Sequence, residues 1–390
     1  MKNEFDHRVL GAKYDLFSFF DEGPGFPVWH DHGLRIKNAL IHYWRNVHKK
    51  NGYKEIESPL LLDKELWKIS GHCDYFEENM FFSSVEKRDF AIKPMSCPGA
   101  ILLFKQKKRS HAELPLRFCE LGHVHRNENS GSLHGLLRVR SFVQDDAHIF
   151  CRESDLLSEI KSIISLIKEI MQHCELSDFH FELSSRGENK ESFLGNDQEW
   201  KMAEDKLKQA VSESGYQLIE RPGEAKFYGP SLDLHIKDIH GKNWQCSSIQ
   251  LDFNLPNRFK LHYFDEHQKK QVPYMIHRAI FGSLERFIAI LLENFGKRLP
   301  QWMHPVRFKI LSLSSKEADY VKIIASKLRE QSINFEVDLS ELPLKEKLKK
   351  CYGECVHSVI IVGGKEKAEQ KIVIKELKSG EEKSICLNEL

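Results

Sequence analysis

The sequence predicts an α+β fold, an antiparallel-sheet domain followed by a small α/β domain, and three observations carry the prediction. Strand-like and helix-like segments are segregated rather than alternating up to residue 300. Regular strand–helix alternation begins only after the two-proline stretch Leu299-Pro300-Gln301-Trp302-Met303-His304-Pro305. The chain's 390 residues also exceed what one hydrophobic core usually serves. Domains are therefore drawn at 1–300 and 301–390.

The elements follow in chain order. Apolar spacing from Leu34 to Lys50 predicts a helix, stopped by Asn51-Gly52. Ile56 to Leu62 reads as a strand, and Pro59, which lacks the amide donor of a central strand, assigns it to a sheet edge. Leu116 to Val124 and Leu136 to Val143 alternate apolar and polar residues across a Gly/Ser/Asn-rich connection, Asn127 to Gly135, and predict a long-looped antiparallel pair. Helical patterns cover Leu156 to Cys174 and Glu199 to Ser214, and strand-like runs recur from Leu232 through Phe253. The largely apolar stretch Tyr274 to Phe295 reads as one long helix ending at Gly296. Beyond the boundary, strands at 308–313, 335–338, 358–362 and 371–377 flank helices at 316–331 and 344–351.

Composition narrows the function classes. With 58 basic against 57 acidic residues the formal charge is +1, which argues against a protein that coats nucleic acid nonspecifically. A nucleic-acid partner would have to be gripped by local patches such as Lys105 to Arg109, or Lys345, Lys347, Lys349 and Lys350, which read equally as solvated faces. Nine scattered cysteines lack a spacing framework and the N-terminus has no apolar signal-peptide core, so a reducing cytoplasm fits best. No apolar run approaches the roughly 20 residues that cross a bilayer, which sets a membrane role aside.

Chemistry concentrates between Phe118 and Phe142. Arg126, Arg138 and Arg140 gather with Glu128 and Phe142 at the two ends of one Gly/Ser-rich loop, and guanidinium groups bind phosphate through bidentate, charge-assisted hydrogen bonds. Read by periodicity alone, the same segment is also a solvated hairpin tip. Cys97, His148 and His277 lie far apart, and among 20 histidines and nine cysteines their spacing by itself defines no metal site. Cys351 and Cys355 stand one helical turn apart without a second pair, and read as unpaired thiols.

Longer motifs carry a resemblance. Tyr53-Lys54-Glu55-Ile56-Glu57-Ser58-Pro59, Arg126-Asn127-Glu128 before its flexible loop, and Gly282-Ser283-Leu284-Glu285-Arg286-Phe287 resemble the three signature motifs of class II aminoacyl-tRNA synthetases. Lys93-Pro94-Met95-Ser96-Cys97-Pro98-Gly99, Gln144-Asp145-Asp146-Ala147-His148-Ile149-Phe150 and Met275-Ile276-His277-Arg278-Ala279 resemble the threonyl-tRNA synthetase family in particular, in order, from about Asp6 to the C-terminus.

The resemblance implies a class II catalytic domain and a C-terminal anticodon-binding domain, with ATP, L-threonine and tRNA(Thr) as substrates. Arg126 would hold the ATP α-phosphate and Arg286 the γ-phosphate, with Arg138 as a further phosphate contact, Glu128 on the adenine amino group and Phe142 stacked on the ring. Cys97, His148 and His277 would bind one Zn²⁺ per chain, an open three-ligand set of catalytic type, and Mg²⁺ would accompany ATP. Asp146 would accept the substrate hydroxyl, Gln144 and Tyr228 would line its amino side, and His72 would help deprotonate the terminal ribose of tRNA. Glu366 and Lys375 would contact the anticodon. The family further implies a cytoplasmic homodimer, and because the resemblance starts at Asp6, cis editing of seryl-tRNA is not expected.

Some positions depart from the family pattern. Ser231 stands where a lysine is common, Cys73, Ser96 and Ala100 replace a tryptophan, an asparagine and a histidine, and Glu341 and Lys375 replace an asparagine and an arginine of the anticodon contacts. A carboxylate near a tRNA backbone is unfavourable, and lysine lacks arginine's planar fork. These departures keep open a second reading, a paralogue that activates threonine for a non-tRNA acceptor or acts as a regulatory binder.

Overall fold

A computed structural model of the protein describes residues 5–188, 193–237 and 241–390. Two compact units emerge. One comprises Phe19–Pro27 and Trp44–Ile290; the other takes in the chain up to Ser18, Val28–Tyr43 and Leu291–Leu390. Segments from the N-terminal part of the chain thus group with the C-terminal unit.

The larger unit is built on an eight-stranded sheet. Its order is Leu218–Pro222, Phe179–Ser185, Ser231–Lys237, Asn243–Asp252, Tyr274–Ala279, Ser141–Cys151, Leu116–His125 and Lys54–Glu55. The inner pairings are antiparallel and only the two outermost are parallel. Its longest ladder runs from Leu116 opposite Phe150 to His125 opposite Ser141. Phe104, Phe118, Phe150, Phe259 and Met275 form part of one apolar cluster around the helix Cys97–Lys105. The helix Leu156–His173 buries Ile160, Ile163, Ile164, Ile167 and Ile170, the three-and-four spacing of an amphipathic stripe.

The other unit carries a five-stranded sheet ordered Phe335–Asp338, Val306–Ser312, Val356–Val362, Lys371–Glu376 and Glu382–Cys386. The first three strands are parallel, as crossover helices Ala318–Glu330 and Leu344–Gly353 require, and the last two are antiparallel. Ile310, Ile324, Leu328 and Ile360 centre its core. No helix of the described residues is long and apolar enough to cross a membrane.

Three readings from the sequence change. Tyr274 to Phe295 is not one helix but the strand Tyr274–Ala279 followed by the helix Leu284–Phe295. The strand lies inside the sheet and is buried on both faces, so periodicity cannot tell it from a buried helix. The strand placed at Leu136 to Val143 instead begins at Ser141 and runs to Cys151, and 135–137 form a short 3-10 turn. Ile56 to Leu62 is interrupted: Lys54–Glu55 pairs at the sheet edge, Leu61–Asp63 joins a separate three-stranded sheet with Arg88–Ile92 and Phe81–Val85, and Pro59 lies between them. Phe179–Ser185, Leu218–Pro222 and Glu382–Cys386 are strands that the sequence reading did not assign.

Gly282 makes the strand-to-helix turn possible. Its φ is +71°, and a Cβ there would sit 2.6 Å from the carbonyl oxygen of Cys246. Gly282→Ala is expected to lose about 2 kcal/mol or more, from left-handed strain plus the clash with backbone. Urea unfolding checks this, as a lowered midpoint with unchanged slope.

Candidate active site

Directly opposed residues on neighbouring strands share a face of the sheet. The register sets His148 opposite His277, His277 opposite Gln250, and Gln250 opposite Ser231, which carries a row of polar side chains across four strands. Cys97 reaches the same place from the start of the helix Cys97–Lys105, where Pro98 fits the first turn. The ligand atoms of Cys97, His148 and His277 all lie within 4.8 Å of one another, and all three residues are buried. His277 Nε2 lies 2.9 Å from Asp252 Oδ2, while Asp252 Oδ1 accepts the backbone amides of Asn254 and Leu255. A carboxylate that holds one imidazole nitrogen and leaves the other for a metal is the usual outer support of a metal-binding histidine.

Burial dominates the electrostatics of this trio. It pushes the Cys97 thiol well above its ordinary range, with Asp146 and Asp252 adding to the effect. It holds His148 well below the usual imidazole value, reinforced by His277. Asp146 is raised to about 7 by burial, partly countered by His277. His72 is 1% exposed and burial lowers it to about 3. Its Nδ1 is 2.7 Å from Ser70 Oγ, and its Nε2 faces Met95 Sδ at 3.3 Å and Cys97 Sγ at 3.9 Å.

Two arginines line the same cavity as the trio, Arg126 at the start of the loop and Arg286 on the helix Leu284–Phe295. Arg126 Nε donates to the Pro94 carbonyl at 3.2 Å, and its guanidinium lies 5.2 Å from the Phe142 ring centre. Arg286 is held by bonds from Nε to the Leu137 carbonyl, 3.0 Å, and from Nη1 to the Gln245 carbonyl, 3.1 Å. Glu128 accepts Arg138 Nε at 2.9 Å, so the carboxylate that the resemblance assigns to adenine carries Arg138 here. One cavity of about 430 Å³ is lined by every residue that the resemblance assigns to ATP, threonine, metal or catalysis, from His72 and Cys97 to His277 and Arg286.

The two anticodon candidates belong to the other unit and already have partners. Glu366 accepts the Gly363 amide at 2.9 Å and caps the helix Gly364–Glu369, and Lys375 Nζ is 2.7 Å from Glu382 Oε1. In that unit Asp6, His7 and Glu293 also bring ligand atoms within 4.8 Å. Arg8, however, occupies both Asp6 oxygens, and His7 Nδ1 is 2.6 Å from Glu293 Oε1.

Several supporting residues escaped sequence reasoning. Asp145 takes Trp44 Nε1 at 2.6 Å and Arg278 Nη1 at 2.9 Å on one oxygen, and the amides of Ile280 and Phe281 on the other. Burial raises this carboxyl, but Arg278, His48 and the hydrogen bonds outweigh burial and leave it below its ordinary value. Lys93 Nζ donates to Glu120 at 2.6 Å and to Ser58 Oγ at 2.9 Å, both charges almost wholly enclosed. The only signal for Asp145 was its place next to Asp146, since strand alternation sends the two carboxylates to opposite faces.

The sequence pattern of the class II core domain of tRNA synthetases (G, H, P, S and T) matches residues 80–295, and that of the anticodon binding domain matches residues 307–390. A solved structure described as the RNA binding domain of threonyl-tRNA synthetase from Cryptosporidium parvum superimposes with a TM-score of 0.95 at 34% identity, covering 98% of this chain and 96% of that one. The chain belongs to the threonyl-tRNA synthetase family. Threonine--tRNA ligase of Acetivibrio thermocellus is 44% identical over 376 residues, 96% of this chain and 59% of the relative. That of Caldanaerobacter subterraneus is 43% identical over 383 residues, 98% of this chain and 59% of the relative. The chain thus spans about three fifths of the length of these bacterial relatives.

Removing Asp145 leaves Arg278 buried with no carboxylate. Asp145→Ala is expected to destabilise the protein by about 3–5 kcal/mol, the usual penalty for breaking a buried pair from one side. Chemical denaturation with a matched Asp146→Ala control measures it, and equal losses in the two variants would contradict the assigned role.

Proposed function

We propose that the chain activates L-threonine with ATP and transfers it to tRNA(Thr), residues 1–300 supplying the catalytic domain and 301–390 reading the anticodon. The observation that carries the reading is the single cavity in which a Cys/His/His trio adjoins two fixed arginines and an aromatic ring. Arg126 and Arg286 are anchored through backbone carbonyls, so their remaining N–H groups are pre-set for phosphate oxygens and need little reorganisation as charge develops there. Phe142 stacks the adenine. Nucleotide entry exchanges the Glu128–Arg138 pair for adenine on Glu128 and phosphate on Arg138; Arg138 is 50% exposed, so giving up that pair costs about 1 kcal/mol or less. Mg²⁺ enters with ATP, held mainly by phosphates and water.

Cys97, His148 and His277 fit one Zn²⁺ per chain, given their donor set, their mutual distances and the Asp252 support of His277. Bound there, the ion supplies a Lewis-acidic point for the substrate's amino and hydroxyl groups and holds Cys97 as thiolate. Asp146 accepts the substrate hydroxyl, Gln144 and Tyr228 face its amino side, and His72 helps deprotonate the terminal ribose of tRNA. Valine has the shape of threonine but no hydroxyl, and a site built on polar partners rejects it because those partners stay unsatisfied.

Purified protein is expected to contain about one zinc per chain and to catalyse threonine-dependent pyrophosphate exchange, and Cys97→Ala to lose both. Zinc-free protein that still prefers threonine over valine would defeat the metal assignment. Charging of total tRNA by the same preparation separates the ligase from a paralogue with another acceptor.

Serine retains both metal-binding groups and lacks one methyl, a difference worth about 1–3 kcal/mol, so serine is expected to be activated only about 10–200-fold less efficiently than threonine. Exchange assays with each amino acid give the ratio.

A homodimer also fits. Lys54–Glu55 ends the large sheet with an exposed edge, and Leu60 and Leu61, farther along the same segment of chain, are 41% and 48% exposed. Sedimentation is expected to show a dimer, and a fully active monomer would exclude it.

A further inference from the structure

One carboxylate behind the cavity wall has no role in the reading above. Asp233 is 6% exposed, and its oxygens accept four neutral donors. Ser231 Oγ at 2.9 Å and Ser184 Oγ at 3.3 Å bond Oδ2, while Gln245 Nε2 and Ser248 Oγ, each at 2.6 Å, bond Oδ1. Two of these donors, Gln245 and Ser248, line the cavity.

A carboxylate only accepts, and this sets the sense of the bonds strung from it. The single Ser248 hydroxyl proton goes to Asp233, so the 3.1 Å contact between Ser248 Oγ and Gln250 has the amide Nε2 as donor. With its NH₂ turned to Ser248, Gln250 presents Oε1 to the Tyr228 hydroxyl. The Tyr228 proton is then committed to Gln250, and only lone pairs remain for the cavity. Tyr228 stands beside the metal-binding trio, its ring centre 5.4 Å from that of His277.

We propose that Asp233 is a positioning residue that sets the polarity of the chain Asp233, Ser248, Gln250, Tyr228, and so makes the Tyr228 hydroxyl an acceptor for the substrate's amino group. The inference rests on the threonine reading of the cavity. An amino group brings N–H donors to Tyr228; a hydroxyl turned the other way would meet them with its own proton. Asparagine at 233 keeps the volume but can turn its NH₂ to the Oδ1 side, where one N–H meets Ser248 Oγ and the other a Gln245 amide turned to accept it. Ser248 then donates to Gln250, Gln250 turns its NH₂ to Tyr228, and the Tyr228 proton points into the cavity.

The experiment is a double-mutant cycle on pyrophosphate exchange by the full chain, with Asp233→Asn, Tyr228→Phe and the pair together. Asp233→Asn is expected to raise KM for threonine about five- to tenfold, the worth of one hydrogen bond, with a smaller change in kcat. In the Tyr228→Phe background the same substitution is expected to leave KM for threonine unchanged. Ser248→Ala cuts the chain midway and is expected to show the same dependence on Tyr228, which keeps the test open if Asp233→Asn folds poorly. Equal fold-changes in both backgrounds would overturn the role of Asp233 while leaving the substrate reading intact. A wild-type chain with no threonine-dependent exchange would overturn both.

Discussion

A carboxylate enclosed by protein is tolerated when its lone pairs are answered, and Asp145, 0% exposed, is the point on which the cavity is hung. Trp44 and Arg278 occupy one oxygen, the Ile280 and Phe281 amides the other, and the Asp145 amide donates to the Gly282 carbonyl at 2.9 Å. Three of these bonds, to Ile280, Phe281 and Gly282, tie the middle of the strand Ser141–Cys151 to the turn that leads from the strand Tyr274–Ala279 into the helix bearing Arg286. Arg278 adds a tie to the strand Tyr274–Ala279 itself, and Trp44 one to the helix Asp31–Lys50. Strand alternation does the rest. With Asp145 locked to one side, Gln144 and Asp146 are presented on the other, in the cavity.

The cavity reverses the polarity that a core normally has. Its floor is a row of serine, glutamine and histidine side chains across four strands, in which Ser231 and His277 bond to carboxylates behind them and Gln250 to Ser248 and Tyr228. Low dielectric strengthens these bonds and penalises any charge left without a partner, which is why burial raises the Cys97 thiol and lowers the His148 imidazole where they converge. The surroundings are tied together by buried polar bonds as well. Lys93 bridges Glu120 and Ser58, and so fastens the segment before Pro59 to the strand Leu116–His125.

Helices with clean apolar stripes, Leu156–His173 and Asp197–Glu213, were legible in the sequence to within a few residues, because their burial is one-sided and the period shows. Tyr274–Ala279 was not, because a strand buried on both faces has no period to read. The edge position of the first motif was also legible, since proline excludes a central strand, but the pairing fell to Lys54–Glu55 rather than to residues around Pro59. Asp145, Asp233 and Asp252 were invisible as a class. Each is one acid among 57, and its importance lies in what it touches.

The sequence by itself determined the residue types that the proposed recognition of phosphate, metal and amino acid calls for, the order of the motifs and the change to alternating strands and helices after residue 300. Tertiary structure alone decided that Cys97, His148 and His277 meet, that Glu128 carries Arg138, and that the segments up to Ser18 and Val28–Tyr43 belong to the C-terminal unit. The reason is range. Periodicity and capping act over a few residues, and the chain records them locally. The meeting of residues 97, 148 and 277 depends on strand register, which is set by packing and hydrogen bonds between segments far apart in the chain, so no local stretch of sequence records it.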